Sequence, residues 1–152
     1  MAQKPKKLNM SEMEKDFYSD TSMIGIVCPL PAYHFCWKLN DWFEINFECD
    51  PSLTLPYYEN EITSYFSVFE YTLPNSGHTY LLYKVKNDDK TLIEGLKKNN
   101  WLNKIDYLWL LKTGEPKNDA DKILKILNTL PFIRLSRIIE NGQLNNLENF
   151  MV

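Results

Sequence analysis

Residues 105–112 (IDYLWLLK) constrain the fold more than any other part of the chain, because they are almost continuously apolar. A strand with one face in water alternates apolar and polar residues, whereas a strand covered on both faces does not need to. The run therefore predicts a central β-strand with protein packed on both sides. Gly114 and Pro116 follow it and are expected to end it.

A strand–helix–strand unit is predicted towards the N-terminus. Residues 23–28 (MIGIVC) form a short apolar run typical of a buried strand. Residues 32–43 carry apolar side chains at helical spacing, which predicts an amphipathic helix. The core face predicted for this helix comprises Phe35, Cys36, Leu39, Trp42 and Phe43. Apolar and polar residues then alternate and indicate another strand, with its apolar positions at Ile45, Phe47 and Cys49.

The clearest hairpin in the sequence joins residues 65–73 to residues 79–86 through residues 74–77, which are turn formers. Residues 50–63 precede the hairpin and contain two prolines, so a loop or an excursion of the chain is predicted there. Residues 87–104 are polar, with one helical turn expected around residues 92–96.

A second helix is predicted to begin at Asn118 or Asp119, because either side chain can cap a helix N-terminus. Pro131 is expected to end it. The predicted core face of this helix comprises Ala120, Ile123, Leu124, Leu127 and Leu130. A last strand is predicted over residues 132–139, with inward positions at Ile133, Leu135 and Ile139.

The predicted order is strand, helix, strand, hairpin, strand, helix, strand. This order favours an α+β fold with a single mixed sheet of about five to six strands and both helices packed on one face. The arrangement resembles an elaborated ferredoxin-like sandwich, a likeness of fold that implies no function. The length fits a single domain over residues 1–152, with residues 1–22 as a polar arm and residues 141–152 as a tail.

Charge argues against nucleic acid as the main partner. The formal net charge is −3, and lysines cluster strongly only at Lys4, Lys6 and Lys7, which leaves a local basic face as the open alternative. Glu44 and Glu48 are expected to share one face of a strand and are interpreted as solvated. The chain has neither a signal-peptide pattern nor an apolar run of about 18 residues, so we expect no membrane association. Three cysteines without a secretion signal favour the cytoplasm.

No catalytic, cofactor-binding or metal-binding residue is predicted, so we expect a protein that is not an enzyme. The glycine-rich motifs that hold nucleotide phosphates and the G-x-S-x-G motif of hydrolases are missing from the sequence. Cys28, His34, Cys36 and Cys49 lack the close ligand pairs of structural zinc sites, and Cys28 and Cys36 are expected in the core. Neither His34 nor His78 has a sequence neighbour that indicates a catalytic pair.

Aromatic residues provide the main indication of a partner. Tyr33 and Trp37 fall outside the core stripe of the first helix, so they are expected to be covered by the arm or tail or to form an interface. In the hairpin, Tyr65, Phe69 and Tyr71 are expected on one strand face, with Tyr83 on the partner strand. Such aromatics stack on bases in some RNA-binding sheets, but packing or protein contact is favoured because the ribonucleoprotein motif is missing. The predicted interface comprises Tyr33, Trp37, Tyr65, Phe69, Tyr71 and Tyr83.

Two segments, MIGIVCPLPAYHFCWKLN and IDYLWLLKTGEP, together with the closing LPFIRLSRII, resemble the IPExxxVDY family of small proteins from Bacteroidota. The V-D-Y half of the family's motif reads Ile105-Asp106-Tyr107 here, whereas the I-P-E position, residues 99–101, reads Asn-Asn-Trp. The resemblance implies a bacterial cytoplasmic protein with no assigned activity. If the motif shapes the entry to a strand, Asp106 is expected to cap a loop and Tyr107 to fill the core.

These features favour a non-enzymatic interaction or adaptor domain that binds a protein partner or forms a homodimer. The first alternative is a small-ligand-binding regulatory domain of ferredoxin-like type. The second is an RNA-associated accessory protein, which the frequent position of that family's genes beside ribonuclease III favours.

Overall fold

The computed structural model describes residues 20–59, 62–87, 90–91, 100–140 and 143, and gives only the backbone for residues 55–59, 62–65, 87, 90 and 100. Two α-helices lie in this part of the chain, α1 (Ala32–Phe43) and α2 (Pro116–Leu127). The strands are β1 (Thr21–Val27), β2 (Glu48–Cys49), β3 (Leu55–Glu59), β4 (Ile62–Phe66), β5 (Val68–Thr72), β6 (Thr79–Lys84), β7 (Lys86–Asn87), β8 (Lys90–Thr91), β9 (Tyr107–Lys112) and β10 (Leu135–Ile138). Short 3-10 turns cover Pro51–Leu53 and Asn100–Lys104.

The main sheet has six strands in the order β10-β1-β9-β6-β5-β2. Every pairing described in it is antiparallel, so the expected mixed sheet is wrong in this detail. The reason is that each helical connection joins two strands that are not neighbours. β9 lies between β1 and β6, and β1 lies between β9 and β10, so each parallel pair is separated by an antiparallel strand.

Four of the strands and both helices follow the ferredoxin-like order. Numbered along the chain, β1, β6, β9 and β10 lie in the spatial order fourth, first, third, second. The elaboration is the segment between α1 and β6, which adds β5 and β2 beyond β6 and contributes the separate two-stranded sheet of β3 and β4. The expected α+β fold with ferredoxin-like elaboration is confirmed.

Both faces of the main sheet are covered, as the apolar run of β9 predicts. Tyr107, Trp109 and Leu111 of β9 belong to the core under the two helices. Leu108 and Leu110 belong to the core on the other face. All five side chains are buried.

The Asp-Tyr pair at the start of β9 holds the turn that follows β1. The backbone N–H of Cys28 donates to Asp106 Oδ2 at 2.9 Å, and the Tyr107 hydroxyl donates to the Leu30 carbonyl at 2.5 Å. Tyr107 is buried, with its ring centroid 4.3 Å from that of Phe35. The expected roles of Asp106 as a loop cap and Tyr107 as a core residue are both confirmed.

Several predicted boundaries are wrong. The polar arm was expected to reach residue 22, but Thr21 and Ser22 are buried at the start of β1. Residues 50–63 were expected to be a loop or an excursion, and they include β3 and the start of β4, which pair with each other outside the main sheet. Pro56 is compatible with β3 because a two-stranded sheet leaves each strand with a free edge that needs no N–H donor.

The second helix begins at Pro116, earlier than expected, because proline is favoured in the first helical turn, where its missing N–H costs nothing. Asp119 does not cap it, and instead accepts a hydrogen bond from Thr113 Oγ1 at 2.6 Å. The helix ends at Leu127 rather than at Pro131, and the last strand begins at Leu135. No helix among the described residues is long and apolar enough to cross a membrane. The turn expected around residues 92–96 lies outside the described part of the chain.

Candidate functional site

The outward side of α1 carries an unusual amount of exposed aromatic surface. Tyr33 is 72% exposed, Trp37 is 65% exposed and Trp42 is 57% exposed. Among the described residues only one other large apolar side chain is exposed, Ile126 of α2. Exposed apolar residues concentrated on one element indicate an interaction site more strongly than scattered ones do.

Helical geometry places these three aromatic residues on two flanks of α1. Ala32, Phe35, Cys36 and Leu39 are buried against the sheet. Tyr33 and Trp37 are four residues apart, so they lie side by side on one flank, which we call the aromatic face. Trp42 is about 140° further around the helix from Trp37, on the other flank.

Trp42 was expected in the core, and this expectation is wrong. Phe43 takes that role instead, with its ring edge-to-face on Trp109 at a centroid distance of 5.1 Å. Trp42 and Phe43 are consecutive residues at the end of a helix, so rotation of the helix by a fraction of a turn decides which of them is buried.

The aromatic face is anchored to the sheet along one side. The ring of Tyr33 meets that of Phe69 edge-to-face, with centroids 5.8 Å apart. The imidazole of His34 lies 6.4 Å from the Trp37 ring. Tyr33 is thus held in position by a core residue while most of its surface stays open to solvent.

The hairpin aromatics do not form the exposed surface expected of them. Phe69 is 2% exposed and Tyr83 is 3% exposed, so an interface role for these two side chains is wrong. Tyr83 pairs with Val68, which places it on the sheet face opposite the helices. Tyr71 is half-buried on the helix side, where its ring centroid lies 6.1 Å from that of Tyr80. The side chain of Tyr65 lies outside the described part of the structure.

Asn40 fastens the segment before β2 to α1. Its side-chain Oδ1 accepts from the Phe47 backbone N–H at 2.7 Å, and its Nδ2 donates to the Phe47 carbonyl at 3.2 Å. The thiol of Cys36, one turn earlier, donates to the same carbonyl at 3.5 Å. The side-chain amide of Asn40 therefore bonds the backbone of Phe47 in the way that a neighbouring strand would.

Replacing Asn40 with Ala is expected to lower the free energy of unfolding by about 2 kcal/mol, since the Phe47 N–H loses its partner and the Phe47 carbonyl keeps only the weak thiol donor of Cys36. Urea denaturation followed by circular dichroism measures the change. Asn46→Ala is the matched control, because among the described residues the Asn46 side chain bonds to exposed Glu48 alone, and it is expected to change stability by less than about 0.5 kcal/mol. Equal effects of the two substitutions would contradict the fastening role of Asn40.

An open cleft of about 420 Å³ lies at the edge of the sheet beside β2. Its lining residues are Asn46, Glu48, Cys49, Asp50, Glu70, Tyr71 and Thr72. Glu48 and Glu70 are direct cross-strand partners, an arrangement of like charges that destabilises a strand pair. Hydrogen bonds from the Ser52 side chain and backbone are the main cause of a lowered pKa of Asp50. We call Glu48, Asp50 and Glu70 the acidic edge.

The cysteines and histidines are not grouped into a metal-binding site in the described part of the chain. Cys28 and Cys36 are buried, as expected, whereas Cys49, expected on the apolar side of a strand, is exposed. Burial raises the pKa of the Cys36 thiol to about 11, with a smaller contribution from Cys49. Within the described residues, no three His, Cys, Asp or Glu side chains are grouped so that they could hold a metal ion.

Thiol labelling should therefore separate the cysteines. With Ellman's reagent at neutral to mildly alkaline pH, Cys49 is expected to react at least about 100-fold faster than Cys28 and Cys36, because only exposed thiols form accessible thiolate. Denaturation should bring all three thiols to one rate. Equal rapid labelling of Cys36 and Cys49 in the folded protein would contradict the burial of Cys36.

Sequence reasoning found the aromatic face but missed the acidic edge as a feature of the site. The sequence pattern led to the interpretation of Glu48 as solvated, and it assigned no role to Glu70. Counting outward from the turn at residues 74–77 would have placed Tyr83 opposite Val68, and so away from the face of Phe69 and Tyr71. The chain matches no model of a known protein family, and the search of curated proteins also found no match.

Proposed function

We propose that this protein is a non-enzymatic interaction domain that binds a protein partner through the aromatic face of α1. The observation that carries the proposal is the exposure of Tyr33 and Trp37, at 72% and 65%, on one flank of a helix whose inner side is buried against the sheet. Tyrosine and tryptophan are the residues most enriched where protein interfaces concentrate their binding energy. We extend the proposal to a bacterial cytoplasmic setting and to kinship with the IPExxxVDY family, which the positions of Asp106 and Tyr107 support.

Burying the aromatic face against a partner would contribute substantially to the free energy of binding. A fully buried aromatic side chain contributes about 2–3 kcal/mol through the apolar surface removed from water. Tyr33 is already held by Phe69 at 5.8 Å, so part of the entropy cost of fixing it has been met before a partner arrives. The aromatic face therefore offers a preorganised contact.

Affinity capture from cells of the source organism tests the proposal. The bait chains are the natural sequence, Trp37→Ser and Trp42→Ser. Trp42 is the matched control because it is the same residue type on the same helix, 57% exposed, but on the other flank. We expect one protein in near-stoichiometric amount with the natural chain and Trp42→Ser, and a loss of at least about tenfold with Trp37→Ser.

Two results would contradict the proposal. One is recovery of the same proteins in the same amounts with all three baits. The other is a chain that is always recovered alone and sediments as a monomer. A self-associating chain that dissociates only with Trp37→Ser would identify the partner as a second copy.

A further inference from the structure

The aromatic face is linked to the acidic cleft through β5, by way of the buried side chain of Phe69. The Tyr33 ring contacts Phe69, and Phe69 and Tyr71 follow each other on the helix side of β5. Tyr71 in turn lines the cleft, where Glu48 and Glu70 stand opposite each other. The lining residues therefore come from both faces of the sheet, at the edge formed by β2.

The charged residues in the sequence around the acidic edge are all negative. Between Lys38 and Lys84 the sequence has no lysine or arginine, so all 17 basic residues lie outside this segment. The acidic residues within it are Asp41, Glu44, Glu48, Asp50, Glu59, Glu61 and Glu70. The ammonium of Lys38 lies 5.1 Å from the ring of Phe132, on the flank of α1 away from the acidic edge. The cation nearest in sequence therefore does not neutralise the acidic edge.

We propose that the partner presents a lysine- or arginine-rich segment, whose cations lie against Glu48, Asp50 and Glu70 and whose apolar side chains cover Tyr33 and Trp37. This inference rests on the proposed function and specifies the partner that the aromatic face binds. A cationic segment relieves the repulsion between Glu48 and Glu70, and its apolar side chains remove exposed surface of Trp37 from water. Nucleic-acid phosphate or an anionic membrane surface would instead be repelled by these carboxylates.

A defined peptide tests the charge requirement. The probe is a fluorescein-labelled ten-residue peptide of alternating lysine and valine, and its control replaces every lysine with glutamate. Fluorescence anisotropy at low ionic strength is expected to show saturable binding of the lysine peptide alone. Raising the salt from about 50 to about 500 mM is expected to weaken that binding at least tenfold, because exposed charges are screened.

Two variants locate the binding. The double variant Glu48→Gln and Glu70→Gln is expected to bind the lysine peptide at least tenfold more weakly than the natural chain does. Glu115→Gln with Asp121→Asn changes the net charge equally on exposed positions of the α2 region and is expected to leave binding within twofold. Equal binding of both peptides, or equal loss with both pairs of substitutions, would overturn the inference.

Other occupants give distinct results. In one such outcome, spermine displaces the peptide, binds as tightly as the peptide does and depends equally on Glu48 and Glu70. That outcome would assign the acidic edge to a polyamine. A tenfold gain in peptide affinity on replacing Lys4, Lys6 and Lys7 with Gln would assign it to the chain's own N-terminal lysines. Either result would overturn the inference. Capture that depends on Trp37 but not on Glu48 and Glu70 would leave the proposed function standing and remove only the cationic partner.

Discussion

Replacing Gly25 with Ala is expected to lower the free energy of unfolding by about 2–3 kcal/mol, near the upper range for overpacking a core. A Cβ at this position would lie 2.9 Å from Trp101 Cζ3 and would collide with Ile105 Cδ1. Gly25 cannot withdraw, because it is paired with Leu108 on one side and Arg137 on the other. Ile105 is fully buried, so displacing its side chain disturbs the core residues packed around it.

Gly114→Ala is the matched control for this substitution. A Cβ at Gly114 would have its nearest contact at 3.5 Å, with His78 Cε1, which is ordinary van der Waals distance. We expect Gly114→Ala to change stability by less than about 0.5 kcal/mol. Urea denaturation of both variants measures the difference. A Gly25→Ala variant as stable as the natural chain would show that the packing of residues 101–105 on β1 is not tight.

Replacing Asp106 with Ala is expected to lower the free energy of unfolding by about 2–3 kcal/mol, since it removes a charged acceptor and leaves the Cys28 N–H without its partner. Tyr107→Phe removes only the hydroxyl bond to Leu30 and is expected to cost about 1 kcal/mol. Both bonds hold the same turn, so the two substitutions together should cost less than the sum of their separate effects.

Asp106→Asn provides the internal comparison for this prediction. Its amide oxygen can still accept from the Cys28 N–H, so we expect recovery of at least half of the stability lost in Asp106→Ala. Thermal and urea unfolding report the order of the variants. An Asn variant as unstable as the Ala variant would show that the charge, rather than the hydrogen bond, holds the turn.

Sequence patterns predicted the strongly apolar and strongly periodic elements well. α1 spans Ala32–Phe43, as expected, because its apolar spacing is regular and Glu44 ends it in a left-handed conformation with φ of 53°. β9 is central and covered on both faces because its apolar run leaves no side for water. These elements depend on local pattern, which the sequence carries directly.

The features that sequence reasoning missed depend on relationships between elements. Trp42 and Phe43 both fit an apolar stripe, and only packing against Trp109 selects Phe43. The β3–β4 pair was hidden because prolines at positions 51 and 56 are typical of loops. The opposition of Glu48 and Glu70 follows from the register of β2 on β5, and a strand as short as β2 has too little pattern to predict its register.

Hydroxyl-radical footprinting of the purified chain, read by mass spectrometry at each tryptophan, tests most directly whether the aromatic face is open for a partner. Trp109 is fully buried and serves as the internal reference, while exposed Trp42 marks the fast limit. We expect Trp37 to be oxidised at a rate close to that of Trp42 in the isolated chain, and to be protected selectively when the partner is bound. Oxidation of Trp37 as slow as that of Trp109 in the isolated chain would show that the protein covers this face itself, and would contradict a docking role.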